Sequence, residues 1–255
     1  MRPVWTGSIG FGLVNIPVKI YSATKGSELD LDMLDSKDHA NIKFQRINAN
    51  TGKVVPYENI VKGYKMDRGY VVLDEKDFES ASVKKSKVIE IEDFVEINEI
   101  DDIYFETPYY VEPDKSAYRS YGLLVAALKK TKKVGVATFV MRNKEHLAIV
   151  KPKNKMLILH MMRFKEEVKE ISDLDIPDDV DVKPRELEIA ISLIDQQTAK
   201  FDINKYTDTY TEDLLEIIKK KAKGAKITPA KLKVEHTDNG DLMSQLKASL
   251  LKKIK

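Results

Sequence analysis

The side chains best placed to do chemistry in this sequence are its clustered bases. Lys43, Arg46 and Lys53 lie on or beside a short alternating run that ends in turn residues. Lys62, Lys65 and Arg68 fall on the next such run. Arg142 and Lys144 occupy a turn between two strongly apolar stretches, and Lys129, Lys130, Lys132 and Lys133 end a helical one. Bases carried on hairpins and turns suit contact with the phosphates of a nucleic-acid backbone, which positions a protein without reading bases. The lysines at the helix end also have a local reason, because a helix C-terminus favours cations. Of those four, Lys133 is kept as a candidate phosphate contact.

Other chemistries find less support. The four histidines, His39, His146, His160 and His236, form no HExxH or paired-ligand spacing. Asp173 to Asp181 has the carboxylate density of a calcium loop, but Pro177 interrupts it and the central Gly and closing Glu are missing. There is no GxxxxGK[ST] loop for a nucleotide and no GxSxG elbow for a serine nucleophile. A two-metal nuclease built from scattered carboxylates stays open as an alternative without a motif of its own. No helix-turn-helix, zinc finger or aromatic RNP strand is present, so any DNA binding should be indifferent to sequence.

The bases are distributed unevenly. The 255 residues carry a net charge of only +2. Lys219 to Lys255, however, holds eleven lysines against three acids, and Lys129 to Lys155 nine bases against one acid. Glu170 to Glu216 is the reverse, with fourteen acids against four bases. Such segregation points to a polyanionic partner. Cysteine is absent, which removes disulfides and thiolate metal sites and suits a reducing compartment. No apolar run approaches the roughly 18 residues of a membrane span, and no signal-like N-terminus precedes the first strand. The expectation is a soluble, cytoplasmic, nucleoid-associated protein with no membrane partner.

Positioning these bases falls mostly to strands. In Trp5 to Thr24, Ile9, Phe11 and Leu13 share one parity, and Val14, Ile16, Val18 and Ile20 the other. Period two marks two strands, and the parity change predicts a bulge or corner between them. Gly7, Gly10 and Gly12 would supply its backbone freedom, and Pro17 an edge or bulge position. Strands are expected at Ile42 to Arg46, at Lys62 to Met66 and Gly69 to Leu73 as a hairpin, and at Lys87 to Ile91, Ile103 to Phe105 and Tyr109 to Val111. Further strands follow at Val134 to Met141, Leu147 to Val150 and Met156 to Met161. Asp74 with Asp77 should cap a short helix, and Asp114 a longer one whose stripe is Ala117, Tyr118, Tyr121, Leu124, Val125 and Leu128. After Phe164 the character becomes helical. Pro184 opens a helix with Leu187, Ile191 and Ile194 on its apolar face, and Thr211 caps another bearing Leu214, Leu215, Ile217 and Ile218. Asp241 to Ile254 forms a short amphipathic helix with Leu242, Leu246 and Leu250 at i, i+4, i+8 and Met243 beside them. At that length it should order on a partner.

The wording of WTGSIGFGLVNIPVKIYSAT (Trp5 to Thr24) closely resembles the opening of the bacterial Ku proteins. VPYENIVKGYK (Val55 to Lys65), IDDIYFETPYYVEPD (Ile100 to Asp114), KVGVATFVMRNKEHLAIVKP (Lys133 to Pro152) and RFKEEV (Arg163 to Val168) resemble further blocks in the family's order. So do the helical Glu186 to Lys221 and DLMSQLKASL (Asp241 to Leu250). The resemblance implies an α+β chain, a β-barrel core with a DNA-encircling bridge followed by a helical C-terminal arm. It implies a homodimeric ring that threads onto double-stranded DNA ends, acts in non-homologous end joining, recruits and stimulates the ATP-dependent ligase D, and is not an enzyme and needs no cofactor.

Placed on this sequence, that gives a barrel with bridge over 1–165, the bridge at about 42–70. A helical dimerisation arm follows over 166–221, and a basic linker with the amphipathic helix over 222–255. DNA contacts are expected from Lys43, Arg46, Lys62, Lys65, Arg68, Lys133, Arg142 and Lys144. Leu187, Ile191 and Ile194 are expected at the dimer interface, and Leu242, Met243, Leu246 and Leu250 at the ligase. Two departures stand out. Some relatives carry metal-binding cysteines near Asp35 to Lys53, where this chain has none, and many end in a longer Lys-rich tail. The alternative reading is an architectural protein that coats duplex DNA with no preference for ends.

Overall fold

The computed structural model describes residues 1–81, 87–142, 144–177, 180, 182–226 and 242–251. Its elements run β1 (Trp5–Phe11), β2 (Val14–Ser22), β3 (Lys62–Met66), β4 (Gly69–Leu73), α1 (Glu75–Ala81), β5 (Val88–Glu96) and β6 (Phe105–Pro113). They continue with α2 (Tyr118–Thr131), β7 (Lys133–Met141), β8 (Lys144–Lys153), β9 (Met156–Met162), α3 (Pro184–Gln197), α4 (Thr209–Ala222) and α5 (Leu242–Leu251). The α+β class and the barrel expected from the sequence are both present. Seven strands close in the order β1-β2-β6-β9-β8-β7-β5, and β3 with β4 forms a separate two-stranded sheet. Closure leaves the barrel without the unpaired edges that invite aggregation.

The parity change near Leu13 has a simple origin. Phe11 pairs with Val14 across the turn Gly12-Leu13, so odd residues of β1 face the same way as even residues of β2. This is a tight hairpin rather than a bulge. Gly12 alone of the three expected glycines takes a positive φ, +58°. Gly7 serves another purpose: a Cβ there would lie 2.1 Å from the Lys87 carbonyl oxygen and 2.3 Å from the Trp5 ring. Ile9, Ile16, Val18 and Ile20 then fill the barrel together with Ile89, Val111, Phe139, Val150, Leu157 and Leu159. The single tryptophan donates its indole N–H to the Val140 carbonyl at 3.0 Å and meets Phe139 edge-on.

α2 closes onto this core through Tyr121, Leu124, Val125 and Leu128, while Tyr118 of the expected stripe stays exposed. The Tyr121 hydroxyl donates to the Val111 carbonyl and accepts from the Leu157 N–H, each at 2.7 Å. Those two residues are partners in the β6–β9 ladder, so a buried phenol ties the helix into the barrel wall. Burial pushes its pKa up, which keeps it neutral as donor. Asp114, expected to cap α2, caps instead the short 3-10 turn Lys115–Ala117 that leads into it, accepting from the Ser116 N–H; Ala117 is the N-cap of α2, with no side-chain cap. Asp74 and Asp77 bond each other's backbone N–H before α1, both at 2.9 Å.

Three further expectations change. Ile42 to Arg46 forms no strand; only single bridges, Leu34 with Asn41 and Ile47 with Val54, occur there. The Asp35, Asp38 and Asn48 side chains accept backbone N–H groups in the turns on either side, and the stretch itself is tied by single backbone bonds, Ile42 N–H to the Met33 carbonyl and Val55 N–H to the Arg46 carbonyl. Ile103 lies in a short 3-10 turn, Asp102–Tyr104, and β6 runs unbroken in sequence from Phe105 with an irregular register between Phe105 and Pro108. The cap of α4 is Asp208, whose carboxylate accepts from the Thr211 N–H and from its hydroxyl; Thr211 is the residue being capped.

The chain divides into two compact units, residues 1–26 with 31–170 and residues 27–30 with 171–255. In the second, α3 begins with Pro184 at its first turn and packs against α5. The expected linker beyond residue 226 and the ends of the last helix lie outside the described residues. No described helix is long and apolar enough to cross a membrane.

Candidate nucleic-acid interface

The candidate phosphate contacts fall in three places, all in the first unit. The first is the stretch between β2 and β5. Asn48 closes its turn by accepting the N–H groups of Asn50 at 2.9 Å and Thr51 at 3.0 Å, and Gly52 completes it at φ +66°. Lys43 is exposed nearby. The Arg46 guanidinium lies over the Tyr57 ring, 5.3 Å from its centroid, which orients a cation while leaving it charged.

The β3–β4 hairpin carries three more. Its register pairs Lys62 with Leu73, Tyr64 with Val71 and Lys65 with Tyr70. Because neighbouring residues on a strand point to opposite sides, Lys62 and Lys65 project from opposite faces, with Arg68 in the turn between the strands. The Lys62 ammonium sits 4.7 Å from the centre of the Phe78 ring of α1. Both faces are open: Tyr64 is 68% exposed and Tyr70 is 70% exposed. A lone two-stranded hairpin is marginal in water. This one displays exposed cations and aromatic rings on both sides.

The second place is the turn joining β7 to β8. Arg142 stands there at φ +53°, beyond the last pair of the ladder, Met141 with Lys144. Lys144 is not a free cation. Its ammonium donates to a Glu167 carboxylate oxygen at 3.1 Å. The Phe164 N–H and then Lys144 hold the Glu167 carboxyl below its ordinary pKa. A phosphate approaching Lys144 must therefore compete with a standing carboxylate.

The third place is a cavity of about 720 Å³ on the barrel wall. It gathers Lys133, one of the candidates, with Lys129, Lys132, Lys151, Lys153 and His160. Lys151 and Lys153 are not among the candidates that the sequence suggests. A signal for them exists in their i, i+2 spacing, which puts both on the outer face of β8. Burial and the neighbouring Lys153 lower the pKa of Lys151; burial, then Lys151 and Lys153, lower that of His160.

The apolar candidates belong to the second unit. Leu187, Ile191 and Ile194 follow one another along α3 and remain about half or more exposed, at 50%, 48% and 64%. Met243, Leu246 and Leu250 of α5 are half-buried and Leu242 is exposed. Among the described residues no three acidic or histidine side chains are grouped as metal ligands.

A family model described as the Ku70/Ku80 beta-barrel domain matches residues 10–190. The chain belongs to the Ku family. The match takes in the barrel from within β1 to β9, the β3–β4 hairpin and the first part of α3. Curated relatives extend the likeness to nearly the full length. The chain is 41% identical to the non-homologous end joining protein Ku of Opitutus terrae, covering 98% of this chain and 91% of that one. It is 40% identical to the Bacillus subtilis Ku, covering 98% and 82%, and 33% identical to that of Mycobacterium tuberculosis, covering 98% and 95%. Against the Ku frame, the cysteine-free segment near Asp35 to Lys53 is held together by side-chain-to-backbone turns.

Proposed function

We propose that this Ku-family chain binds double-stranded DNA ends without regard to sequence, as a homodimeric ring, in double-strand break repair by non-homologous end joining. The observation that carries this reading is the β3–β4 hairpin, a two-faced projection with bases on both sides and no ladder to the barrel. Lys62, Lys65 and Arg68 are there to meet backbone phosphates, helped by Arg46 and Lys43 on the preceding loop and Arg142 at the β7–β8 turn. Phosphate contacts of this kind hold register and confer no base preference. One barrel cannot surround a duplex, whereas two related by a two-fold axis can close on it. α3 is the proposed contact between subunits, and α5 the element that recruits and stimulates ligase D.

The decisive experiment is competition for a short linear duplex by the same DNA as a covalently closed circle. A ring that loads from ends predicts that linear DNA competes and the circle does not. Equal competition by the circle would overturn the end-threading reading in favour of a protein that coats duplex DNA anywhere.

A further inference from the structure

The lysine-lined cavity asks for a ligand of its own. In the ladders β6–β9 and β9–β8, Tyr110 pairs with Ile158 and Ile158 with Lys151, while Pro108 pairs with His160. These residues alternate with Val111, Leu157, Leu159 and Val150, which fill the core, so they face outward together. The end of α2 and the start of β7 bring Lys129, Lys132 and Lys133 to the same recess, and Lys153 completes the ring.

No aspartate or glutamate lines the cavity. Among the described residues none of its five lysines pairs with a carboxylate within 4.0 Å. Crowding like charges at a partly buried wall is unfavourable unless an anion offsets it. Lysine stems do cover apolar surface while their heads stay in water, and Lys129, Lys132, Lys133 and Lys153 are exposed; what sets this recess apart is that five lysines from α2, β7 and β8 line it with no carboxylate among them. The lining is also not uniformly charged. Ile97, Pro108, Tyr110 and Ile158 give it an apolar floor with one aromatic ring. A floor of that kind beneath a cationic rim fits an anion with a flat, weakly polar body. Lysine ammonium groups, compact charges on flexible stems, suit several phosphate oxygens at once.

We propose that this cavity binds a nucleoside phosphate, its phosphates on Lys129, Lys132, Lys133, Lys151 and Lys153 and its base on the floor of Pro108, Tyr110 and Ile158. The ligand is either a free nucleotide or the unpaired terminal nucleotide of a DNA strand. The site goes beyond end binding: as a free-nucleotide site it stands without that reading, and as a strand-end site it rests on it. It also reassigns Lys133 from the duplex backbone to the recess.

The test is calorimetric titration of the full chain, without DNA, using ATP, inorganic triphosphate and adenosine as probes. ATP is expected to bind at least tenfold more tightly than inorganic triphosphate, and adenosine weakly. The double variant Lys151→Gln/Lys153→Gln is expected to lose ATP affinity at least tenfold, while Lys169→Gln, on exposed chain elsewhere, keeps it. Triphosphate binding as tightly as ATP would overturn the proposal, because the floor would then contribute nothing. So would absence of ATP binding at millimolar concentration, or equal loss in both variants. For the source, a duplex with a one-nucleotide 5′-phosphorylated overhang is added to the ATP complex. Displacement by it and not by a blunt duplex assigns the site to strand ends; displacement by neither assigns it to free nucleotide.

Discussion

At the scale of single residues, neighbouring bases in the sequence prove unequal. Arg142 and Lys144 flank the same turn, yet Lys144 is already engaged by Glu167 at 3.1 Å and Arg142 has no such partner among the described residues. Removing a side chain that meets one phosphate should reduce the slope of log affinity against log salt by about one unit. Arg142→Gln is therefore expected to flatten the salt dependence of duplex binding more than Lys144→Gln does. Affinity titrations at several salt concentrations check this, and equal slopes would show that the ion pair gives way to DNA at no cost. Charge and turn position were legible in the sequence for both residues. The difference between them was not, because Glu167 is far along the chain and comes near only through the fold. The same holds for Lys62 and Lys65: the sequence put them on one hairpin, and the register put them on opposite faces.

At the scale of elements, the strong periodicities were the readable ones. The hairpin Lys62–Met66 with Gly69–Leu73, the amphipathic helix α2 and the Pro-led α3 all stand where their patterns put them, although Asp114 caps the 3-10 turn before α2 and not α2 itself. Ile42 to Arg46 misleads because alternation over a few residues does not supply a partner strand: only single bridges form beside it, Leu34 with Asn41 and Ile47 with Val54. In the sequence, the apolar faces of α3 and α5 each suggest a separate partner. In the structure α3 packs against α5, and Leu187, Ile191 and Ile194 still keep about half or more of their surface exposed. That leaves α3 able to meet a second copy. If the chain pairs through α3 as proposed, Leu187→Asp or Ile191→Asp should convert dimer to monomer and weaken end binding together, measured by light scattering and by the linear-duplex assay. A variant that stays dimeric and binds fully would remove α3 from the subunit contact.

At the scale of the whole molecule, the barrel was legible as many short strands, but its strand order was not. Strand order depends on which edges meet, and the last seam joins β1 to β5 in parallel, Ser8 beside Val88 and Ile9 beside Ile89, across a long stretch of chain. The division into barrel and helical units assigns α5 to the second of them. A chain ended before Asp241 should therefore keep its affinity for DNA ends and stimulate ligase D less, as end-binding and ligation assays would show; collapse of end binding would mean that α5 supports the DNA-binding fold. The β1–β5 seam has one more effect. β2 and β5 both lie against β1, so the chain leaves the barrel from one neighbour of β1 and re-enters it as the other, as a handle joins a cup only at its two ends. Lengthening such a handle costs little, about 0.6 kcal/mol for each doubling of a flexible loop. Insertions in that stretch should therefore be tolerated at little cost to the barrel.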